Sequence, residues 1–213
     1  MRKAILWDLD GTLLDTLTDI QNAVNACMRH FGYPERSRED VMAFTGNGAA
    51  VLLRLCLEGE PENFEEIHEW YRAYFALHSN DTSKPYPGIP EVAAELQRRG
   101  WKMAIVSNKP HSATVPLWKY HFPSFDLALG EGSGLPRKPA PHMVQKALEM
   151  LEVSPENAVY IGDSEVDVAT AKAANLPCIS VTWGLRDEET LKEAGATVLC
   201  RSAEDILNLL EAK

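Results

Sequence analysis

The apolar positions of this chain change period twice. Residues 3–7, "KAILW", form a short apolar run that stops at Asp8, which suits a strand buried on both faces. From Asp15 or Thr16 the spacing becomes three and four: Leu17, Ile20, Val24, Met28 and Phe31 predict an amphipathic helix with an N-cap at its start and Gly32 as its stop. "SRED" (Ser37 to Asp40) reads as a capping box with Asp in the place of the usual Glu or Gln, opening a short helix. "TGNG" (Thr45 to Gly48) interrupts it, and "AAVLLRLCL" and "ENFEEIHEWYRAYFALH" read as two more helices. Residues 16–79 are therefore expected to be helical, with no strand.

"SKPYPGIP" (Ser83 to Pro90) then punctuates the chain with three prolines and a glycine, as a linker or hinge does. Beyond it strand and helix alternate. Helix "EVAAELQRRG" leads to strand "KMAIVS", a helix near 111–121 and strand "FDLALG". Helix "HMVQKALEML", strand "AVYIG", helix "VDVATAKAA" and strand "PCISVT" follow, with helices near 188–194 and 203–211. Such alternation predicts an α/β fold, a Rossmann-like parallel sheet with helices on both faces. The helical block falls between the first strand and the rest, so it reads as an inserted all-helical cap. The expected division is a core of 1–14 and 85–213 and a cap of 15–84.

Composition narrows the partners. At 213 residues the chain suits a core domain carrying an insert. Lys and Arg number 21 against 31 Asp and Glu, a net charge of −10, and no basic cluster offsets it. That field argues against nucleic acid and anionic membrane, and an anionic small substrate needs a local cation. The opening "MRKAILWD" has too short an apolar run for a secretory leader, and no stretch approaches membrane-spanning length. Four scattered cysteines, Cys27, Cys56, Cys178 and Cys200, form no C-x-x-C pair and read as packed thiols in a reducing compartment, so a cytoplasmic location is expected.

In open α/β sheets the ligand crevice lies at the carboxyl ends of the strands, and here those ends carry the polar chemistry. "ILWDLD" ends in Asp8 and Asp10, and "AIVSNK" in Ser107, Asn108 and Lys109. "YIGDSEVD" ends in Asp163, followed by Asp167, and "GLPRKPAP" presents Lys138. Clustered carboxylates repel one another and are costly to desolvate, and an oxygen-only donor set suits a hard divalent cation such as Mg2+. Lys109 reads equally as a phosphate ligand or a solvated charge at a helix start. His111 and His142 receive no role, and Trp183 and Gly184 read as rim or core.

"DLDGT" (Asp8 to Thr12), "VSN" (Val106 to Asn108), Lys138 in "RKPAP" and "GDSEVD" (Gly162 to Asp167) resemble, in order and spacing, the four motifs of the haloacid dehalogenase superfamily. The insert resembles its helical-lid subclass, and the C-terminal run from "YIGDSEVD" is similar to the phosphoglycolate phosphatase group. The resemblance implies Asp8 as nucleophile, forming an aspartyl-phosphate, and Asp10 as general acid and base. It implies Mg2+ between Asp8, the Asp10 backbone carbonyl and Asp163, with Asp167 as an outer or water-mediated ligand. Ser107 and the backbone N–H groups that follow, Asn108 included, would hold phosphate oxygens, and Lys138 would stabilise their charge. Gly11 allows close backbone approach, and Thr12 orients the loop.

The implied reaction is hydrolysis of a small phosphorylated metabolite. Thr45, Gly46, Asn47 and Gly48 form a candidate substrate loop, whose N–H groups at a helix start could take the carboxylate of 2-phosphoglycolate. Asn175 stands where the group has glycine, in a position that favours a left-handed conformation. A dehalogenase would lack Asp10, and a phosphonate hydrolase would need a cap lysine, yet there is none between Lys3 and Lys84. A β-phosphoglucomutase-like phosphotransferase, a pyrophosphatase, a broad-specificity phosphatase and a non-catalytic phosphate-binding protein stay open. The sequence carries no signal for oligomeric state.

Overall fold

The computed structural model describes residues 3–211. Met1 and Arg2, which open the segment weighed above as a leader, lie outside the described residues. The chain begins with β1 (Ala4–Trp7) and β2 (Leu14–Asp15) and passes into four helices, α1 (Leu17–Phe31), α2 (Arg38–Phe44), α3 (Ala49–Cys56) and α4 (Phe64–His78). It returns through β3 (Lys84–Pro85) to α5 (Ile89–Arg98), β4 (Lys102–Pro110), α6 (His111–His121), β5 (Leu127–Glu131) and α7 (His142–Leu151). The remainder is β6 (Ala158–Gly162), α8 (Glu165–Ala173), β7 (Cys178–Val181), α9 (Glu188–Glu193), β8 (Leu199–Cys200) and α10 (Ala203–Glu211).

Six strands form one sheet in the order β5-β4-β1-β6-β7-β8, every neighbouring pair parallel. β1 sits in the interior because all four of its residues are apolar and can be buried on both faces. Its alternation divides them. Ile5 and Trp7 pack with Val92 and Leu96 of α5, Leu117 of α6 and Ile206 of α10. Ala4 and Leu6 face the other way, onto Met143, Val144 and Ala147 of α7 and Ala171 of α8. Helices therefore cover both faces, and the carboxyl ends of β1, β4 and β6 open side by side.

The helical block has an apolar core of its own, with Val24, Met28, Leu53, Ile67, Tyr71 and Phe75 buried together. Ser37 and Asp40 form the capping box, each side chain accepting from the other's backbone N–H. Gly32 ends α1 in the left-handed conformation, φ 77°. Asn175 likewise adopts φ 57°, with Leu176 N–H donating to Ala171 O, so an asparagine closes α8 where glycine is usual.

Three features depart from the sequence reading. Thr16 makes no side-chain cap for α1, because its hydroxyl donates to Asp10 Oδ1 at 2.7 Å instead. Two-residue β2 and β3 pair antiparallel, Leu14 with Pro85 and Asp15 with Lys84, where the chain leaves for the cap and returns. β8 adds a sixth strand after β7. Buried Asp19 of α1 secures the return crossing, accepting from the N–H groups of Thr82 and Ser83 and from the Ser83 hydroxyl at 2.7 Å. Cys27, Cys56 and Cys200 are buried and Cys178 half-buried, all as free thiols. Among the described residues, no helix is long and apolar enough to cross a membrane.

Candidate active site

The sheet gathers the sequence-predicted groups at one end. Asp8 follows β1, and its N–H donates to Ile161 O of β6, which fixes the first residue of the loop to the neighbouring strand. Gly11 (φ +81°) lets the loop turn back, and a Cβ there would collide with the Asp163 carboxylate. Thr12 Oγ1 donates to Asp163 Oδ1 at 2.9 Å and Leu185 N–H to Asp163 Oδ2 at 2.7 Å. Carboxylate oxygens of Asp8, Asp163 and Asp167 all lie within 4.8 Å of one another.

Three acids so close need compensation, and part of it is Lys138. Its side chain is 1% exposed, and Nζ lies 2.9 Å from Asp8 Oδ1, 2.7 Å from Asp167 Oδ1 and 3.0 Å from the Tyr160 hydroxyl. Burial works against the ammonium, but Asp167 and Asp8 outweigh it and hold its pKa above the ordinary lysine value. One cation does not neutralise the group. Burial, reinforced by Asp167 and only partly offset by Lys138, pushes the Asp8 carboxyl up to about 7. Burial, then Asp167 and Asp8, push Asp163 up to about 8.

The donor set fits a magnesium ion. Asp8 and Asp163 offer hard carboxylate oxygens, which can bind a cation besides the hydrogen bonds they accept. Asp167 has less to offer. Its Oδ2 accepts from Ser164 Oγ at 2.6 Å and from the N–H groups of Asp163 and Ser164, while Oδ1 takes Lys138. It stands at the third position of α8, in a capping box with Ser164, so the helix that follows β6 aims it.

β4 contributes on both faces. Asn108, buried, accepts from the Lys138 N–H at 2.8 Å and donates to Lys138 O at 3.0 Å. Its amide also donates to Gly46 O of the cap at 3.0 Å. The Asn108 side chain therefore clamps the Lys138 loop to the lid rather than facing a ligand. Ser107 and Lys109, two apart on the strand, both line the cleft, and Lys109 is not a solvated charge: its side chain is 1% exposed. Lys109 Nζ lies 2.9 Å from Asp10 Oδ1 and 4.4 Å from the Phe75 ring centroid of the cap helix α4.

The cleft between core and cap encloses about 560 Å3, counting the part open to solvent. Asp8, Asp10, Asp163, Ser107, Asn108 and Lys109 form its floor. Its roof comes from Thr45, Gly46, Gly48, Leu52, Tyr71 and Phe75. Thr45 Oγ1 is occupied by Val41 O. Asn47 does not line the cleft, and Lys138 sits behind Asp8 rather than on the cleft wall. Arg186, which follows β7, is a contributor that the sequence did not announce. Its guanidinium donates to the carbonyls of Met42 and Thr45 at the end of α2, at 2.9 and 2.7 Å, and to Glu165 Oε2 at 2.9 Å. A cation there complements the helix C-terminus. Trp183 Nε1 donates to Thr12 O, bracing the first loop, and His111 Nδ1 accepts the Gly130 N–H.

Known proteins resemble this chain over nearly its whole length. A family model described as haloacid dehalogenase-like hydrolase matches residues 5–181. Phosphoglycolate phosphatase 1 of Pseudomonas aeruginosa is 32% identical over an alignment covering 96% of this chain and 78% of that protein. The phosphoglycolate phosphatase of Nitrosococcus oceani is 33% identical, with 97% and 95% covered. The crystal structure of a phosphoglycolate phosphatase candidate from Lactobacillus delbrueckii subsp. bulgaricus matches 99% of both chains with a TM-score of 0.91 and 35% identity.

Proposed function

This chain belongs to the haloacid dehalogenase-like hydrolases, and from that premise we propose that it is a magnesium-dependent phosphatase of small phosphate monoesters, with 2-phosphoglycolate as substrate. The observation that carries the reading is the meeting of Asp8, Asp163 and Asp167 around buried Lys138 at the mouth of the sheet. The likeness to phosphoglycolate phosphatases over nearly the whole chain supports this choice of substrate.

In this reading an Asp8 carboxylate oxygen attacks phosphorus, a P–O bond to Asp8 forms and the ester P–O bond breaks. Asp10 gives its proton to the departing alkoxide. Water then attacks the aspartyl-phosphate, Asp10 takes its proton back, and inorganic phosphate leaves. Ser107 and the Asn108 N–H hold phosphoryl oxygens, and Lys138 balances charge developing on them while keeping Asp8 in line. Asp8, the Asp10 carbonyl and Asp163 would hold a magnesium ion, which would supply positive charge to offset the crowded carboxylates and the phosphoryl group. The helical block, closed over the cleft by Arg186 and Asn108, excludes water, with Thr45, Gly46 and Gly48 as part of the wall. Free thiols and an acidic surface agree with a cytoplasmic enzyme.

The test is turnover of a panel of phosphate esters with magnesium and with chelator, together with phosphoenzyme trapping. Wild-type protein is expected to label at Asp8 and to favour 2-phosphoglycolate, and Asp8→Asn to do neither. Labelling that persists in Asp8→Asn removes the nucleophile assignment. A turnover indifferent to chelator removes the metal.

A further inference from the structure

A two-carbon ester with an anion at each end poses a second problem of charge, since the phosphoryl site accounts for only one of them. Resting on the phosphatase reading above, we propose that Lys109 determines specificity by taking the substrate's distal carboxylate, with the Tyr71 hydroxyl completing that subsite from the cap. Lys109 stands two residues beyond Ser107 near the end of β4, an offset of two positions where the pairing with β5 shifts register, and both residues line the cleft. That offset suits a short molecule whose phosphoryl end lies at Ser107.

The other cations near the cleft are occupied. Lys138 lies behind Asp8, spent on Asp8 and Asp167. Arg186 lines the cleft, but its guanidinium is directed at Met42 O, Thr45 O and Glu165. An ammonium has three donors, and among the described residues Lys109 Nζ uses one in a hydrogen bond, to Asp10 Oδ1. The Phe75 face at 4.4 Å holds its position electrostatically, without a conventional hydrogen bond.

The start of α3, the other anion site the sequence suggested, already faces negative charge. A Cβ on Gly48 would lie 2.9 Å from Glu131 Oε2, so a substrate carboxylate drawn there would meet a carboxylate. Lys109 faces a neutral roof instead. Tyr71 is 1% exposed and lines the same cleft. Its ring stacks on Phe75 with centroids 5.5 Å apart, and its hydroxyl has no hydrogen-bond partner among the described residues. An unpartnered hydroxyl and a buried ammonium that line one cleft are a pair of donors awaiting an acceptor.

The experiment compares 2-phosphoglycolate with ethyl phosphate, which has the same carbon chain and no carboxylate. It uses wild-type protein, Lys109→Met, Lys109→Arg and Tyr71→Phe. A hydrogen bond to a charged group corresponds to about a ten- to hundred-fold effect. The wild-type preference in kcat/KM is expected to fall by about that factor in Lys109→Met, chiefly through KM for 2-phosphoglycolate, and to be largely restored in Lys109→Arg. Tyr71→Phe, which removes one oxygen and keeps the packing, is expected to lower the preference several-fold. Titration calorimetry with magnesium in an Asp8→Asn background reads the same difference as Kd, without turnover. If Lys109→Met lowers both esters equally, Lys109 acts only through Asp10 and the proposal falls. It falls also if Tyr71→Phe leaves the preference unchanged, or if wild-type protein treats the two esters alike. Failure of wild-type protein to hydrolyse either ester would instead overturn the phosphatase reading.

Discussion

Replacing Asn108 with alanine separates what holds the site together from what does its chemistry. The amide makes three hydrogen bonds: it accepts from Lys138 N–H at 2.8 Å and donates to Lys138 O and Gly46 O, both at 3.0 Å. Alanine leaves the buried N–H and C=O of Lys138 unpaired, at roughly 1–3 kcal/mol each. With water entering part of the space left behind, the net loss should be about 2–4 kcal/mol, a Tm lower by roughly 5–15 °C for a protein of this size. The effect on catalysis should be larger than the effect on stability. The Lys138 ammonium reaches Asp8 and Asp167 only while its backbone is held, and losing such a preorganised donor costs about 10²–10³-fold in kcat. Urea unfolding gives the first quantity, and kcat/KM for 2-phosphoglycolate at a temperature where the variant is folded gives the second. A variant within about 0.5 kcal/mol of wild type and equally active would show that the Lys138 loop stands without the clamp.

Two further outcomes follow from the same cluster. Asp8 and Asp163 titrate near 7 and 8 in the folded protein against an ordinary 3.8, so over that window the native state holds protons the unfolded chain has lost. Stability without metal is therefore greatest below about 4 and falls as pH rises toward 8, by up to about 1.4 kcal/mol per pH unit for each group. Magnesium, which needs the deprotonated acids, should raise Tm more at about pH 8 than at about pH 5.5. A magnesium-induced shift equal at both pH values, read by differential scanning calorimetry, would contradict the electrostatics. Gly11→Ala should lose at least about 1 kcal/mol from the left-handed backbone alone. It should also displace the Asp163 carboxylate, abolishing magnesium binding by calorimetry, and a variant with unchanged metal affinity would refute the steric argument.

The sheet was legible because it is written in local contrast. An apolar run ending in Asp8, Ser107 or Asp163 marks both a buried strand and the end at which it opens, and alternation with helices sets the layers. What escaped depends on partners distant in the chain. Thr16 carries the residue type of an N-cap, yet a carboxylate six residues back captured its hydroxyl. β2 and β3 are two residues each, too short for periodicity to register, and their pairing across the cap is tertiary. Arg186 sits in a polar run that reads as surface, and nothing local says that it will meet the end of α2. Lys109 was the recoverable case. Weighed as a helix-start charge it is ambiguous, but its place two residues after Ser107 at a strand's carboxyl end already put it near the crevice.

The charges of the site imply an order of events. With Asp10 carrying the proton it will donate, three carboxylates, Asp8, Asp163 and Asp167, face two ammonium groups, Lys109 and Lys138, so the cluster carries a formal excess of one negative charge. A phosphate dianion meets net repulsion from that floor, and protonating Asp8 to relieve the repulsion would remove the attacking lone pair. A divalent cation would bring the sum to plus one while leaving Asp8 ionised. On the proposed mechanism, the crowding of buried acids, costly to the fold, would thus make productive substrate binding conditional on the metal. The neutral roof of the cap is consistent with this: it adds no charge of its own, so in the reading proposed above discrimination among esters is left to the donors that the cluster does not consume, Lys109 on the floor and the Tyr71 hydroxyl above it.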